Sequence, residues 1–253
     1  MNEQSIAAQL YTVREYLKTP EEIRTSLRKV KELGYEAVQA SGLGPIEADE
    51  LREILGSFGL TMCATHIGWD RLSDDLDEII ADHKLWNCEY VGLGSMPKSY
   101  QAGLDGYREF VKVFSEIGRR LSDSGLHLVY HNHCFEFERL AGTVGMDVLL
   151  DGAGPQTYTL ELDTYWVQAG GANPVEWIAK ASGRLKVIHL KDMAVNGWTP
   201  VFAEVGQGNF NWPAIIDACR QSGVEWYVVE QDTCQRDPFE SLGMSRHHLQ
   251  SLL

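Results

Sequence analysis

Positive charge is scarce in this chain. Lysine and arginine number 22 against 36 aspartates and glutamates, for a formal net charge of −14. A nucleic-acid partner needs a basic face, so none is expected. A small anionic substrate stays open, because a bound metal can reverse the local potential. Cysteine is also sparse. Cys63, Cys88, Cys134, Cys219 and Cys234 are odd in number and form no C-x-x-C pair. In a chain of this size they read as reduced thiols, which suits a cytoplasmic protein. The opening residues carry no basic, then apolar, leader, and no apolar run approaches the roughly 18 residues that cross a bilayer. No membrane association is therefore expected. There is no G-x-S-x-G elbow, no phosphate-binding G-x-x-x-x-G-K-[ST] loop and no H-E-x-x-H, and Gly206-Gln207-Gly208 is too short for a dinucleotide fingerprint. Nucleophilic hydrolase, NTPase and nicotinamide-dehydrogenase readings lose their support. Linkers and low-complexity stretches are missing too, so residues 1–253 read as one domain.

What is present is alternation. Apolar strand patterns at Ile6–Tyr11, Ala37–Ala40, Thr61–His66, Tyr90–Gly94, Leu126–His131, Tyr158–Asp163, Leu185–Leu190 and Trp226–Glu230 are each followed by a helical pattern. The first helix opens at Pro20 and carries Ile23, Leu27 and Val30 at helical spacing before Gly34 stops it. Further helices are expected near 46–58, 74–87, 103–124 and 144–152, and after Asn173-Pro174, Asn211-Trp212-Pro213 and Pro238. Eight strand–helix units pair in parallel through their crossovers and close an α/β (β/α)8 barrel, the TIM barrel, for which 253 residues is an ordinary length. The stretch 193–210 reads as an irregular loop on the catalytic face, where a lid belongs.

Polar residues gather where these strands end. His131-Asn132-His133-Cys134-Phe135-Glu136 closes the fifth, Leu162-Asp163-Thr164 the sixth, His189-Leu190-Lys191-Asp192 the seventh and Glu230-Gln231-Asp232 the eighth. In a barrel these ends converge, and their mixed oxygen and nitrogen donors suit one divalent metal ion: Mn, Mg, Co or Zn. Side chains alternate along a strand, so Glu161 shares a direction with Asp163, Lys191 with His189, and Asp232 with Glu230. Asp163, His189 and Glu230 are expected ligands. The helix after Asp163 is expected only about ten residues on, which leaves this carboxylate without a capping role. His131, His133 and Glu136 compete for the fourth position. Glu136 is the expected ligand, with His131 and His133 as acid/base groups. Lys191 is a catalytic candidate that neutralises a substrate oxyanion or pairs with Asp192 or Asp232. His66, Trp69, Trp166 and Tyr11 are substrate-binding candidates on the loop face, with Phe210 on the rim. His247-His248 and Cys134 read as surface and strand-end residues.

These motifs resemble the xylose isomerase-like TIM barrel superfamily, which includes sugar (phosphate) isomerases and epimerases, D-tagatose 3-epimerase, hydroxypyruvate isomerase, inosose dehydratase and endonuclease IV. The similarity runs from Gln9-Leu10-Tyr11-Thr12-Val13-Arg14 to Ser245. It implies one divalent cation held by residues from strands five to eight, a small carbohydrate substrate, and a dimer or larger assembly. It also implies removal of a proton beside a metal-polarised carbonyl. Three positions depart from the epimerases: their first glutamate would fall at Tyr130 or His131, Trp166 replaces a substrate-binding histidine, and Val195 replaces an arginine. The expected activity is a metal-dependent sugar, keto-sugar or cyclitol isomerase, epimerase or dehydratase. A lyase acting on a keto-glycoside and an inactive sugar-binding barrel are the alternatives.

Overall fold

A computed structural model describes residues 5–252. Its eight parallel strands are β1 (Ile6–Gln9), β2 (Ala37–Ala40), β3 (Thr61–His66), β4 (Tyr90–Leu93), β5 (His127–His131), β6 (Thr159–Asp163), β7 (Leu185–Leu190) and β8 (Trp226–Val229). Each pairs with its neighbours in sequence, and β8 returns to β1 to close the barrel expected from the alternation. Around it run α1 (Pro20–Glu32), α2 (Ala48–Phe58), α3 (Trp69–Asp74), α4 (Leu76–Trp86), α5 (Gly103–Asp123), α6 (Gly145–Gly152), α7 (Thr164–Ala169), α8 (Pro174–Lys180), α9 (Trp212–Ser222) and α10 (Pro238–Gln250). Among the described residues no helix is long and apolar enough to cross a membrane.

The local reasons are those the chain advertises. The Thr19 side chain accepts from the Glu22 amide while Glu22 reaches back, a reciprocal cap with Pro20 in the first turn. The face so oriented buries Ile23, Leu27 and Val30 between helix and barrel. Three details differ from expectation. The helix expected at 74–87 runs from Leu76 to Trp86, and a short helix that was not expected, Trp69–Asp74, precedes it. Directly after β6 comes α7, with Asp163 as its cap, where ten residues of loop were expected. The stretch 193–210 is not wholly irregular: Asp192–Asn196 pairs antiparallel with Thr199–Ala203. Its two-residue Gly197-Trp198 turn needs the positive φ of 62° that Gly197 supplies.

The barrel interior is layered by the two-residue period of its strands. Ala7, Ala37, Val129, Val187 and Val228 form a small dry plug. Two residues further along the same strands come Gln9, Gln39, His131, His189 and Glu230, all buried. Register carries the pattern around the ring, with His131 opposite Glu161, Asp163 opposite His189, and His189 opposite Val228. An apolar floor thus lies below a polar layer at the C-terminal end of the strands.

One buried histidine outside that layer makes stability depend on pH. His83 of α4 is 0 % exposed, with Nδ1 2.7 Å from the Ile79 carbonyl and Nε2 2.8 Å from the Thr65 hydroxyl. A carbonyl only accepts, so Nδ1 donates; in the neutral ring Nε2 then accepts from the Thr65 hydroxyl. Burial holds its pKa down to about 4, from 6.5. The unfolded chain therefore binds the proton first, and the contribution is complete above pH 6.5 and lost as pH falls towards 4. About 3 kcal/mol is at stake. Urea titrations at pH 7 and pH 4.5 should show a smaller pH-dependent loss for His83→Gln than for wild type. Equal losses would overturn the assignment.

Candidate active site

Four side chains from successive strands meet at the mouth of the barrel. One ligand atom each from His131 (β5), Asp163 (β6), His189 (β7) and Glu230, just past β8, lie within 4.8 Å of one another, and all four residues are buried. A second such group shares two members: His66, His131, Glu161 and His189. His189 is the hinge between them. Its Nδ1 is 2.9 Å from Glu230 Oε2, and its Nε2 lies 3.3 Å from Glu161 Oε1 and 2.6 Å from Gln39 Oε1. The Glu161 carboxylate also takes His66 Nε2 at 2.6 Å and the Gln39 amide at 2.7 Å, and Gln9 donates to Gln39.

Lys191 stands beside this cluster as a fully buried cation. Its Nζ is 3.0 Å from Asp163 Oδ2, 2.6 Å from Glu230 Oε2 and 2.7 Å from Asp232 Oδ2. Of the partners expected for it, Asp232 is taken and Asp192 is not. The Asp192 carboxylate instead accepts the Gly206 and Gly208 amides and the Trp212 indole, which pins the 204–212 segment.

Electrostatics divide the groups by role. Burial pushes Asp163 up to about 6, against the pull of Lys191 and His189. Burial also opposes ionisation of Glu161, but His189 and His66 outweigh it and hold the carboxyl at about 2. Glu230 is likewise held below the usual carboxylate range, with Lys191 and His189 outweighing its burial. For His189 burial works downward, yet Glu161 and Glu230 lift it to about 10. His131 and His133 go the other way. Burial, aided by His189 for the first and Lys191 for the second, lowers both, His133 to about 4. At neutral pH these two rings are uncharged and offer lone pairs.

A divalent cation fits this donor set. Four carboxylates, Glu161, Asp163, Glu230 and Asp232, face Lys191 and the protonated His189 ring, which would give up one ring proton to a bound metal. Asp163 Oδ2 and His131 Nδ1 also lack a hydrogen-bond partner among the described residues. Asp163 Oδ2 does lie near Lys191, but without hydrogen-bond geometry. Two imidazoles and two carboxylates suit Mn, Fe, Co or Zn better than Mg, which favours an all-oxygen sphere.

Glu136, the expected fourth ligand, is placed elsewhere. It is buried, its Oε1 accepts from Tyr130 Oη at 2.7 Å and its Oε2 from the His133 amide at 2.9 Å. The turn Phe135–Phe137 carries it back beneath the His133 backbone, and His131 occupies the corner expected of it. Burial raises its carboxyl to about 7.

Above the cluster opens a cleft of about 360 Å³ lined by Tyr11, His66, Trp69, His131, His133, Glu230 and Asp232. The substrate-binding candidates Tyr11, His66 and Trp69 therefore share it. Trp166 stands to one side. Its amide donates to Asp163 Oδ1, and its ring packs against His133 and Phe202 at 5.2 and 5.6 Å between centroids. Phe210 packs on Trp212 beside the Asp192 clamp, and Val195 projects from the hairpin into solvent, 58 % exposed. Sequence reasoning passed over Gln9 and Gln39, although a polar residue amid Ala-Ala-Gln and Ala-Val-Gln strands is the same signal that singled out Asp163. It gave Glu161 a direction without a task. Asn132 is buried beside the site, and its Oδ1 accepts the Asp163 amide at 3.0 Å.

Residues 27–251 match the family described as the xylose isomerase-like TIM barrel. Inosose dehydratase of Lacticaseibacillus casei is 24% identical over 170 residues, 59% of this chain and 55% of that protein. The enzyme of the same name from Clostridium beijerinckii is 27% identical over 155 residues, 53% and 51%. The matched region spans about half the length of these curated relatives. A sugar phosphate isomerase/epimerase from Parabacteroides distasonis superposes with a TM-score of 0.80 at 22% identity, over 99% of this chain and 95% of its own. At that identity the superposition shows the fold. With a closed eight-strand barrel and a family match over most of its length, the chain belongs to the xylose isomerase-like TIM barrel family.

Proposed function

We propose that this protein is a divalent-metal-dependent enzyme that removes a proton from the carbon next to a carbonyl in a sugar, keto-sugar or cyclitol, as an isomerase, epimerase or dehydratase. The observation that carries the reading is the buried His131–Asp163–His189–Glu230 group on the floor of a cleft rimmed by histidines. Those four residues would hold the metal, which supplies a Lewis acid for the carbonyl and its neighbouring hydroxyl.

The rest is the work of the chain's own groups. His66 and His133 flank His131, with ring centroids 5.3 and 5.1 Å away. His133 is uncharged at neutral pH and can take the proton from carbon. His66 is oriented by Glu161 and can deliver a proton on the other side. Return of a proton to the same carbon from the opposite face epimerises; protonation of the former carbonyl carbon, with loss of the neighbouring hydroxyl's proton, isomerises. Delivery to a departing β-hydroxyl dehydrates. Glu136 grips the His133 amide and Tyr130, which makes it a positioning residue. Tyr11 and Trp69 offer aromatic surface to the sugar.

Metal content and proton exchange test this together. After equilibration with Mn²⁺, His131→Ala should retain roughly a tenth or less of the bound metal at limiting concentration, while Glu136→Gln stays near wild type. Wild type should exchange the α-proton of a keto-sugar or inosose in deuterated water. Metal lost from Glu136→Gln and kept by His131→Ala would reverse the ligand assignment. A wild type that binds metal and exchanges no proton from any keto-sugar would leave only the sugar-binding reading.

A further inference from the structure

The cleft over the metal group does not end at His66. Behind that ring lies a second and larger hollow of about 620 Å³, and Ser41, His66 and Ile67 line both. Each hollow falls in the range of about 300–1,000 Å³ that takes a small-molecule ligand. One sugar ring held in the first leaves the second without an occupant.

The second hollow is built rather than left over. Its outer wall is the segment from Ser41 to Ala48, between β2 and α2. Gly44 ties that wall to the segment between β1 and α1, its amide donating to the Leu17 carbonyl at 2.7 Å. A Cβ at Gly44 would lie 2.3 Å from the Lys18 carbonyl, so only glycine allows so close an approach. On the opposite wall the Trp86 indole donates to the Ala48 carbonyl at 2.9 Å, which ties α4 to the start of α2. Arg71 reaches Glu78 and Asp82 at 3.4 and 3.7 Å and closes the far end.

Its chemistry selects the occupant. Glu47, Glu78 and Asp82 set three carboxylates against the single guanidinium of Arg71. A phosphate or carboxylate group would be repelled there. Leu43, Ile46 and Trp86 supply apolar and aromatic surface to the same hollow, which suits the face of an aryl group or a sugar ring.

We propose that this hollow is a subsite for the second, non-reacting unit of a two-part substrate: a neutral aryl or glycosyl group joined to the keto-sugar whose proton is removed. The inference rests on the proton-abstraction reading given above. The substrate is then a keto-glycoside rather than a free monosaccharide or a sugar phosphate. His66 stands at the junction, where the bond between the two units passes.

Proton exchange in deuterated buffer tests it with a keto-hexose, its p-nitrophenyl glycoside and a keto-disaccharide as probes. Wild type should favour the glycoside and the disaccharide over the keto-hexose by roughly tenfold or more in kcat/KM. Ala48→Phe fills the hollow without touching the metal group and should remove that preference while leaving the keto-hexose rate within about twofold. Leu43→Trp fills it from another point of the same wall and carries the test if Ala48→Phe fails to fold. A wild type that prefers the free keto-hexose overturns the subsite. So does a filling variant that slows all the probes alike with an unchanged melting temperature. Absence of exchange with every probe in metal-loaded wild type would instead sink the proton-abstraction reading, and the subsite with it.

Discussion

Asp163→Asn should lose metal and activity while keeping its fold. Asp163 does two jobs with two oxygens. Oδ1 caps α7 by accepting the Trp166 amide at 2.9 Å, and Oδ2 faces Lys191 and the metal group. Asparagine keeps an oxygen for the cap, where it ranks with aspartate, but brings no charge and only an amide to the metal. The expected result is a fall in exchange rate of roughly 10³-fold or more, in line with removal of electrostatic stabilisation where charge develops. Denaturant midpoints should place the stability loss within about 1 kcal/mol, since the cap survives. The two readouts separate the roles. A variant that unfolds easily yet turns over normally when folded would show Asp163 to be a cap and nothing more.

That double role is also where the sequence was hardest to read. The eight strands and the barrel were legible because strand and helix periods alternate strictly and glycines punctuate the helices. The convergence of Asp163, His189 and Glu230 followed from topology, since parallel strands present their C-terminal ends at one mouth. What the sequence withheld lies in the segments after the strands. Glu136 is three residues beyond His133, and a single tight turn over Phe135–Phe137 decides whether its carboxylate enters the metal group or supports the backbone. Neither composition nor spacing encodes that turn. Helix α7 escaped because six residues are too few for a 3.6-residue period to declare itself. Gln9 and Gln39 were hidden for the opposite reason. They lie inside short strands, where one polar residue among alanines carries little weight until the register shows that it faces Glu161 and His189. The paired strands in 193–210 had their glycine-first turn in plain view at Gly197-Trp198, but too little apolar alternation around it to suggest a hairpin.

Lys191→Met should have the largest effect on stability, and that effect should depend on divalent cation. The Lys191 ammonium is 0 % exposed and lies within 3.0 Å of Asp163, Glu230 and Asp232. Burial alone would drive its proton off, yet the three carboxylates more than reverse that and raise its pKa above the usual lysine value. Methionine keeps the length of the side chain and removes the charge, so these carboxylates are left facing one another with only His189 to offset them. Breaking a buried ion cluster from one side costs about 3–5 kcal/mol. Without divalent metal the variant should therefore unfold at a much lower urea concentration than wild type. With Mn²⁺ at about a hundred times its dissociation constant, close to 2.7 kcal/mol should return, because a ligand that binds only the folded state stabilises it by mass action. Wild type should gain less from the same Mn²⁺, since Lys191 already neutralises part of the negative charge that would draw the ion in. Urea titrations of both proteins with EDTA and with Mn²⁺ measure the four midpoints this comparison needs. If Mn²⁺ shifts the two proteins equally, Lys191 and the metal do not share the carboxylates. If it shifts neither, the group of His131, Asp163, His189 and Glu230 is an ion-pair network and not a metal site.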